Sequence, residues 1–219
     1  MSTEKLIDRK HYVLVHGACH GAWCWYKVKP LLESSGHLVT VLDLAACGTN
    51  LKKIEDVNTI SEYSEPLLQL MATIPPNEKV ILVGHSLGGL NIALAMEQFP
   101  EKVAVGVFLT AFVPDTEHDT SYVMEKNLEL AKTLLRPGSL FMEDLTQQKS
   151  LFSKQGYGSV PSAFIVCNDD LAIPLKFQHW MIQNAGINDV FEIKGADHMA
   201  MLCKPQELCD FLNQLAMKS

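Results

Sequence analysis

One stretch of the chain, Gly84-His85-Ser86-Leu87-Gly88, has the residue types and spacing of a nucleophile held in a tight turn. Glycines two before and two after the serine would let the backbone reverse sharply and lift the Ser86 hydroxyl clear of the flanking segments. The run Lys79-Val80-Ile81-Leu82-Val83 leads in and the apolar pattern from Leu90 to Phe99 leads out, which is the strand-to-helix context such an elbow requires. An ordinary glycine-rich turn is the alternative, and it leaves that context unexplained. A serine hydroxyl is a weak nucleophile near neutral pH, so it needs a base, and the base needs an orienting carboxylate. Asn168-Asp169-Asp170 and, later, Gly195-Ala196-Asp197-His198 offer both in the order serine, acid, histidine. His198 would take the Ser86 proton during attack and return it to the leaving group. Asp169 and Asp170 are neighbours, and spacing alone leaves either able to hold the imidazole.

An oxyanion formed at Ser86 also needs hydrogen-bond donors. The Leu87 N–H, at the positive end of the following helix, is one; the loop His16-Gly17-Ala18 should supply the second from Ala18, with Gly17 letting the main chain come close. His16 and His20 have a spacing that could suit a metal, but the loop between them brings no third ligand, so neither a metal nor any other cofactor is expected. His11, His37, His118 and His179 lack a strand-end position and read as surface residues. His85, beside the serine, is expected to point away from the crevice.

These groups need a scaffold, and 219 residues make one domain, 1–219, with a sizeable core. An apolar share of 47% and a charged share of 20% exclude a disordered or fibrous chain. Eighteen Lys and Arg against twenty-five Asp and Glu give a net charge of −7, with no basic run longer than Lys52-Lys53, so nucleic acid and membrane are poor partners. The six cysteines contain no CxxC pair, the N-terminus lacks the apolar core of a signal peptide, and no apolar stretch is long enough to span a membrane. Reduced thiols and a cytoplasmic location are the expectation.

Short β-branched runs alternate with amphipathic ones. Strands are expected at His11 to Val15, Leu38 to Leu42, Lys79 to Val83, Val103 to Leu109, Ala163 to Cys167 and Val190 to Ile193, and helices at about 22–35, 60–73, 87–99, 175–185 and 205–216. Near-continuous apolar strands between helices imply an α/β fold, a mostly parallel sheet with helices on both faces, whose ligand crevice lies beyond the carboxyl ends of the strands. His16, Ser86, Asp170 and His198 all fall there. Only 114–158 breaks the alternation, with helical fragments from Ser121 to Leu135 and the breaker Arg136-Pro137-Gly138, and reads as an insertion over the strand ends.

The segment HYVLVHGACHGAWCWYKVKPLLESSGHLVTVLDLAACG, the elbow VGHSLGG and the tail EIKGADHMAMLCKPQELC together resemble the plant methylesterase and hydroxynitrile lyase group of α/β-hydrolases. The resemblance covers nearly the whole chain outside the insertion. It implies an α/β-hydrolase fold, a triad of Ser86, Asp170 and His198, and oxyanion amides on Ala18 and Leu87. Hydroxynitrile lyases of the group carry threonine and lysine where this chain has Gly17 and Met199, neither of which can bond or neutralise cyanide through its side chain. The resemblance therefore favours a serine carboxylesterase acting on methyl esters of small apolar acids of the salicylate, jasmonate, indole-acetate or alkaloid-precursor type, with a place in plant hormone metabolism. The partner is then a small-molecule ester, and a homodimer stays open. Gly17, Trp23, Phe112, Leu171 and Met199 are the candidate substrate-binding residues, although large apolar residues serve more often as core.

The insertion departs from the family. Phe112-Val113-Pro114-Asp115 and Leu128-Glu129-Leu130-Ala131-Lys132 both look like lid segments, yet Glu125-Lys126-Asn127 joins them directly, and the lid reads as about forty residues short. Such a lid builds the apolar wall around the acyl group and excludes water, so a truncated one should leave the crevice open. Two other readings follow: a slow or inactive small-molecule binder on a hydrolase fold, and a hydroxynitrile lyase.

Overall fold

The computed structural model describes residues 9–126, 144–145 and 151–218. Six strands, β1 (His11–Val15), β2 (Leu38–Val41), β3 (Val80–His85), β4 (Val103–Leu109), β5 (Ser162–Cys167) and β6 (Asp189–Ile193), form one sheet in the order β2-β1-β3-β4-β5-β6. Every pairing is parallel. The helices whose bounds lie among the described residues are α1 (Val28–Ser34), α2 (Ile60–Thr73), α3 (Gly88–Gln98), α4 (Tyr122–Glu125), α5 (Leu175–Ala185), α6 (Ala200–Cys203) and α7 (Pro205–Ala216).

Successive residues of a strand face opposite sides, and here both sides are covered. Val13 and Val15 of β1 with Leu82 of β3 and Phe164 of β5 pack into a cluster with Leu67, Met71, Ile92 and Met181, from α2, α3 and α5. Tyr12, Leu14, Ile81 and Ile165 pack on the other face with Val28, Leu32, Leu208 and Leu212, from α1 and α7. Each such fully buried aliphatic side chain stabilises the fold by about 1.5–3 kcal/mol. The chain leaves β1 toward β2, then returns past β1 to β3, so the winding reverses between β1 and β3. A crevice opens at such a reversal, beyond the carboxyl ends of the two strands.

Local chemistry marks the helix ends. Thr59 accepts the Glu62 N–H while the Glu62 carboxylate accepts the Thr59 N–H, a capping box that starts α2. Gly186, with φ +67°, closes α5 in the left-handed conformation. The helix expected over 22–35 is instead a 3-10 turn, Ala22–Trp25, followed by α1. Pro30 falls in the first turn of α1, where a proline is tolerated because it removes no intrahelical donor. Of the helical fragments expected from Ser121 to Leu135, α4 is described; residues from 127 on, with Arg136-Pro137-Gly138, lie outside the described residues.

The far end of the insertion returns to the body through one carboxylate. Glu97 on α3 accepts the N–H groups of Ser153 and Tyr157, each at 2.8 Å, and the Ser153 hydroxyl at 2.7 Å. The Tyr157 hydroxyl then donates to the Pro114 carbonyl at 2.9 Å, tying the two ends of the insertion together. Removing the acceptor strands several donors at once. Glu97→Ala is expected to lower unfolding free energy by about 2–4 kcal/mol, read from the urea midpoint, with proteolytic cleavage first appearing within 114–158.

Candidate active site

Ser86 sits between β3 and α3 with φ +54°, a left-handed conformation that a residue with a side chain adopts only under constraint. Its carbonyl accepts N–H groups from Gly89 at 3.1 Å and Phe112 at 3.0 Å, and its own N–H donates to Leu109 at 3.3 Å. The neighbours of the elbow are as close as backbone permits. A Cβ on Gly84 would lie 2.6 Å from the Gly88 carbonyl oxygen, and one on Gly88 would lie 2.7 Å from the His16 carbonyl oxygen. The two glycines flanking the serine are thus required by contact distance, as their spacing suggested.

Beyond β5 and β6, the Asp170 carboxylate accepts from His198 Nδ1 at 2.7 Å. Its side chain is fully buried, and its other oxygen accepts the Ala172 and Ile173 N–H groups at 2.7 and 2.8 Å. Asp169 is exposed and donates only its backbone N–H, to Ala196. Geometry therefore separates two aspartates that spacing left equivalent. Burial alone would raise the Asp170 carboxyl; the His198 bond and charge, the Thr110 hydroxyl and the Ile173 N–H outweigh it and hold the group below the usual carboxylate range.

Two supports of this acid were not singled out from sequence. Thr110 Oγ1 donates to the carboxylate oxygen that His198 uses, at 2.5 Å, and Thr110 itself has φ +35°. Its position directly after β4 was the available signal. Gln178, fully buried on α5, donates to the carbonyls of Cys167 and Ile173 and accepts the Cys167 N–H, clamping both ends of the Asp170 loop. A glutamine in the middle of a helix carries no such signal in sequence.

His85 corrects an expectation. Its ring does not point away from the crevice: Nε2 donates to the His198 carbonyl at 2.7 Å, and the two rings are 4.6 Å apart. β3 runs on to His85, and the alternation of the strand turns this side chain toward the neighbouring His198 loop. His16 and His20 serve the backbone: Nδ1 of each lies on a carbonyl oxygen of the loop, Gly17 and Ala18 respectively. Among the described residues no cluster of His, Cys, Asp and Glu has the makings of a metal site.

The Ala18 and Leu87 N–H groups have no protein acceptor among the described residues, and neither does the Ser86 hydroxyl. In resting hydrolases the serine-to-histidine contact is often long and tightens with substrate. The arrangement thus contains a constrained serine, an imidazole oriented by an ionised carboxylate, and two unused amide donors, which together can perform acyl transfer. Of the candidate binding residues, Gly17 is buried against Ser86 and Met199 is half-buried behind His198. Phe112, 1% exposed, belongs to the core beneath the elbow, while Trp23 and Leu171 lie open to solvent at 56% and 94% exposure. A polar groove of about 720 Å³ between Pro114, His118, Tyr157 and Asn184 touches none of the three triad positions.

Burial holds His85 well below the usual imidazole value, with His198, His20 and His16 pushing the same way against the His198 carbonyl. Burial likewise lowers His16, against the Gly17 carbonyl and Asp43. In the unfolded chain both protonate near about pH 6.5, so below that value the unfolded state binds more protons and stability falls. The urea midpoint is expected to be level from pH 8 to about 7 and to fall between about pH 6.5 and 5; a level midpoint down to pH 5 contradicts the burial of neutral rings.

Residues 10–135 match a family profile described as "alpha/beta hydrolase fold". Methylesterase 1 of Arabidopsis thaliana is 48% identical, covering 100% of this chain and 99% of that protein. Salicylic acid-binding protein 2 of Nicotiana tabacum is 47% identical over 96% of this chain and 98% of its own length. Among solved structures, polyneuridine aldehyde esterase aligns with a TM-score of 0.88 at 44% identity, covering 95% of this chain and 99% of that one. The alignment with Methylesterase 1 runs over 264 positions, 45 more than the 219 residues here, so that relative carries residues this chain lacks. With a parallel sheet, a left-handed serine after its central strand and near full-length likeness to these proteins, the chain belongs to the α/β-hydrolase family, in the group of the plant methylesterases.

Proposed function

We propose that this protein is a serine carboxylesterase for methyl esters of small apolar acids, working through an acyl-enzyme on Ser86. The observation that carries the reading is the buried Asp170–His198 pair, 2.7 Å between Oδ2 and Nδ1, beside a serine held at φ +54°. Ser86 Oγ attacks the ester carbonyl as His198 Nε2 takes its proton. Leu87 and Ala18 N–H groups receive the oxyanion; the intermediate collapses, His198 returns the proton to the departing methoxide, and methanol leaves. Water then attacks the acyl-enzyme with His198 again as base. Asp170 stays ionised throughout, fixing the imidazole tautomer and stabilising the imidazolium.

Gly17 and Met199 favour ester hydrolysis over cyanohydrin cleavage, since neither side chain can hold a cyanohydrin hydroxyl or a departing cyanide. A side chain at 17 would also crowd the nucleophile, because its Cβ would lie 2.8 Å from Ser86 Cβ. The extra residues of the relatives fit best in the lid, between Asp115 and Leu128, the latter outside the described residues. The open flanks at Trp23 and Leu171 are what a shortened lid would leave uncovered. Acids of the salicylate, jasmonate and indole-acetate type suit this reading, in line with the likeness to a methylesterase and a salicylic acid-binding protein, and extend it to cytoplasmic plant hormone metabolism. The exposed flanks at Trp23 and Leu171 favour a second reading, a binder with slow turnover, because small misplacements of substrate cost large factors in rate.

An activated acetate ester and methyl salicylate separate the two. Esterase function predicts a burst followed by steady turnover; calorimetric binding of salicylate without turnover of its methyl ester would establish the binder instead. Ser86→Ala is expected to remove the burst and lower kcat by at least about 10⁴-fold, and Asp170→Asn to lower kcat by about 10⁴-fold with little change in KM. Parent-like turnover in Ser86→Ala would overturn the nucleophile.

A further inference from the structure

The loop carrying Ala18 meets two opposed requirements. A side chain at position 17 would crowd this packing, because a Cβ there would lie 2.8 Å from Ser86 Cβ and 2.9 Å from His85 Nδ1. Opposed rotations of ψ at Gly17 and φ at Ala18 would nevertheless reverse the plane of the peptide between them with little movement of the chain. A reversed peptide would present the Gly17 carbonyl to the oxyanion in place of the Ala18 N–H, turning attraction into repulsion. The loop therefore needs a clamp on that one peptide.

His16 has the geometry of one. Its ring is fully buried, with Nε2 3.1 Å from the Leu44 nitrogen and Nδ1 2.8 Å from the Gly17 oxygen. A backbone N–H can only donate, so Nε2 accepts from Leu44; the neutral ring then carries its hydrogen on Nδ1 and donates it to the Gly17 carbonyl. The Gly17–Ala18 peptide is trans, so its N–H points opposite to its carbonyl. With the carbonyl bound to the imidazole, the Ala18 N–H is turned away from that ring and left free. His20 Nδ1 holds the next carbonyl, Ala18, at 2.7 Å, its ring stacked on Trp23.

We infer that His16 is a positioning residue of the oxyanion hole: its Nδ1–H, anchored by the Leu44 N–H on the opposite side of the ring, locks the Gly17–Ala18 peptide with the Ala18 N–H available to the oxyanion. The inference rests on the esterase reading above. It assigns the first-strand histidine a role that its spacing with His20 had suggested only for a metal.

Two substitutions divide the ring. Asn places an amide nitrogen near the position of Nδ1 and can still donate to Gly17; Gln reaches the position of Nε2, keeping the Leu44 acceptor and losing the donor. For parent, His16→Asn and His16→Gln, the measurements are kcat and KM for an activated acetate ester, thermal midpoint, and affinity for an aryl trifluoromethyl ketone, whose Ser86 adduct is a tetrahedral oxyanion. His16→Gln is expected to lose about ten- to a hundredfold in kcat and the same factor in ketone affinity, with KM little changed. His16→Asn is expected to stay within about fivefold of the parent in both, whatever the order of the thermal midpoints. Equal losses in the two variants, or losses that follow the thermal midpoint, overturn the clamp while leaving an active parent esterase intact. A parent that neither turns over ester nor binds the ketone overturns the clamp and the esterase reading together. If neither variant folds, imidazole ¹⁵N shifts of the parent decide: a hydrogen on Nδ1 of His16 supports the clamp, and a hydrogen on Nε2 overturns it.

Discussion

The left-handed backbone at Ser86 is the constraint around which the rest of this molecule is arranged. Such a conformation costs about 1–3 kcal/mol at a non-glycine residue and persists only where its surroundings leave no alternative. Here the sheet supplies them: the Ser86 carbonyl is bound from α3 and from the segment after β4, and its N–H is bound to the end of β4. Close approach then propagates outward. Gly84 lies against Gly88, Gly88 against the end of β1, and Gly17 against Ser86 itself, so the elbow and the oxyanion loop are held at backbone contact distance. A hydroxyl presented in this way cannot retreat into the local hydrogen bonds that serine prefers in an ordinary turn.

Several polar groups buried around the elbow are satisfied by one another, which makes the site directional. Asp170 accepts from His198, Thr110, Ala172 and Ile173, and its loop is clamped by Gln178. His85 holds the carbonyl of the residue whose imidazole Asp170 orients. In a region of low dielectric each of these bonds is stronger than in water, and each unpaired group would be correspondingly costly. The Ser86 hydroxyl and the Ala18 and Leu87 amides, which have no protein acceptor among the described residues, are groups a tetrahedral intermediate would engage.

The candidate triad and the exposed rim belong to different parts of the chain. The triad positions follow strands β3, β5 and β6, whose cores are packed on both faces, whereas Trp23 and Leu171 stand in solvent at the rim. Glu97 and Tyr157 fasten the ends of the insertion, so its length can vary without disturbing the sheet. Loops that cover strand ends tolerate such change better than the elements they join, and they decide which ligands are enclosed.

Much of this was legible in one dimension. The apolar runs of β1, β3, β4 and β5 and the periodic helices α2, α5 and α7 fell where their patterns put them, because a strand buried on both faces and a helix buried on one leave unambiguous spacings. The elbow was legible for a local reason: glycines at 84 and 88 around a serine have few other uses. The break at 26–27 leaves no mark in the apolar periodicity, which runs on from Ala22 to Ser34. His85 was misjudged, and Thr110 and Gln178 were passed over, because their partners lie 60 or more residues away or act through carbonyls that have no signature in a side-chain sequence. By itself the sequence determined the fold class and the family and supplied the serine, acid and histidine candidates in their chain order, all of which depend on residue type and local spacing. Tertiary structure decided what spacing left open: which of two adjacent aspartates meets the imidazole, and which way the histidines at 16 and 85 face. Both depend on where strand ends converge, and only the parallel packing of β1, β3, β5 and β6 brings those ends together.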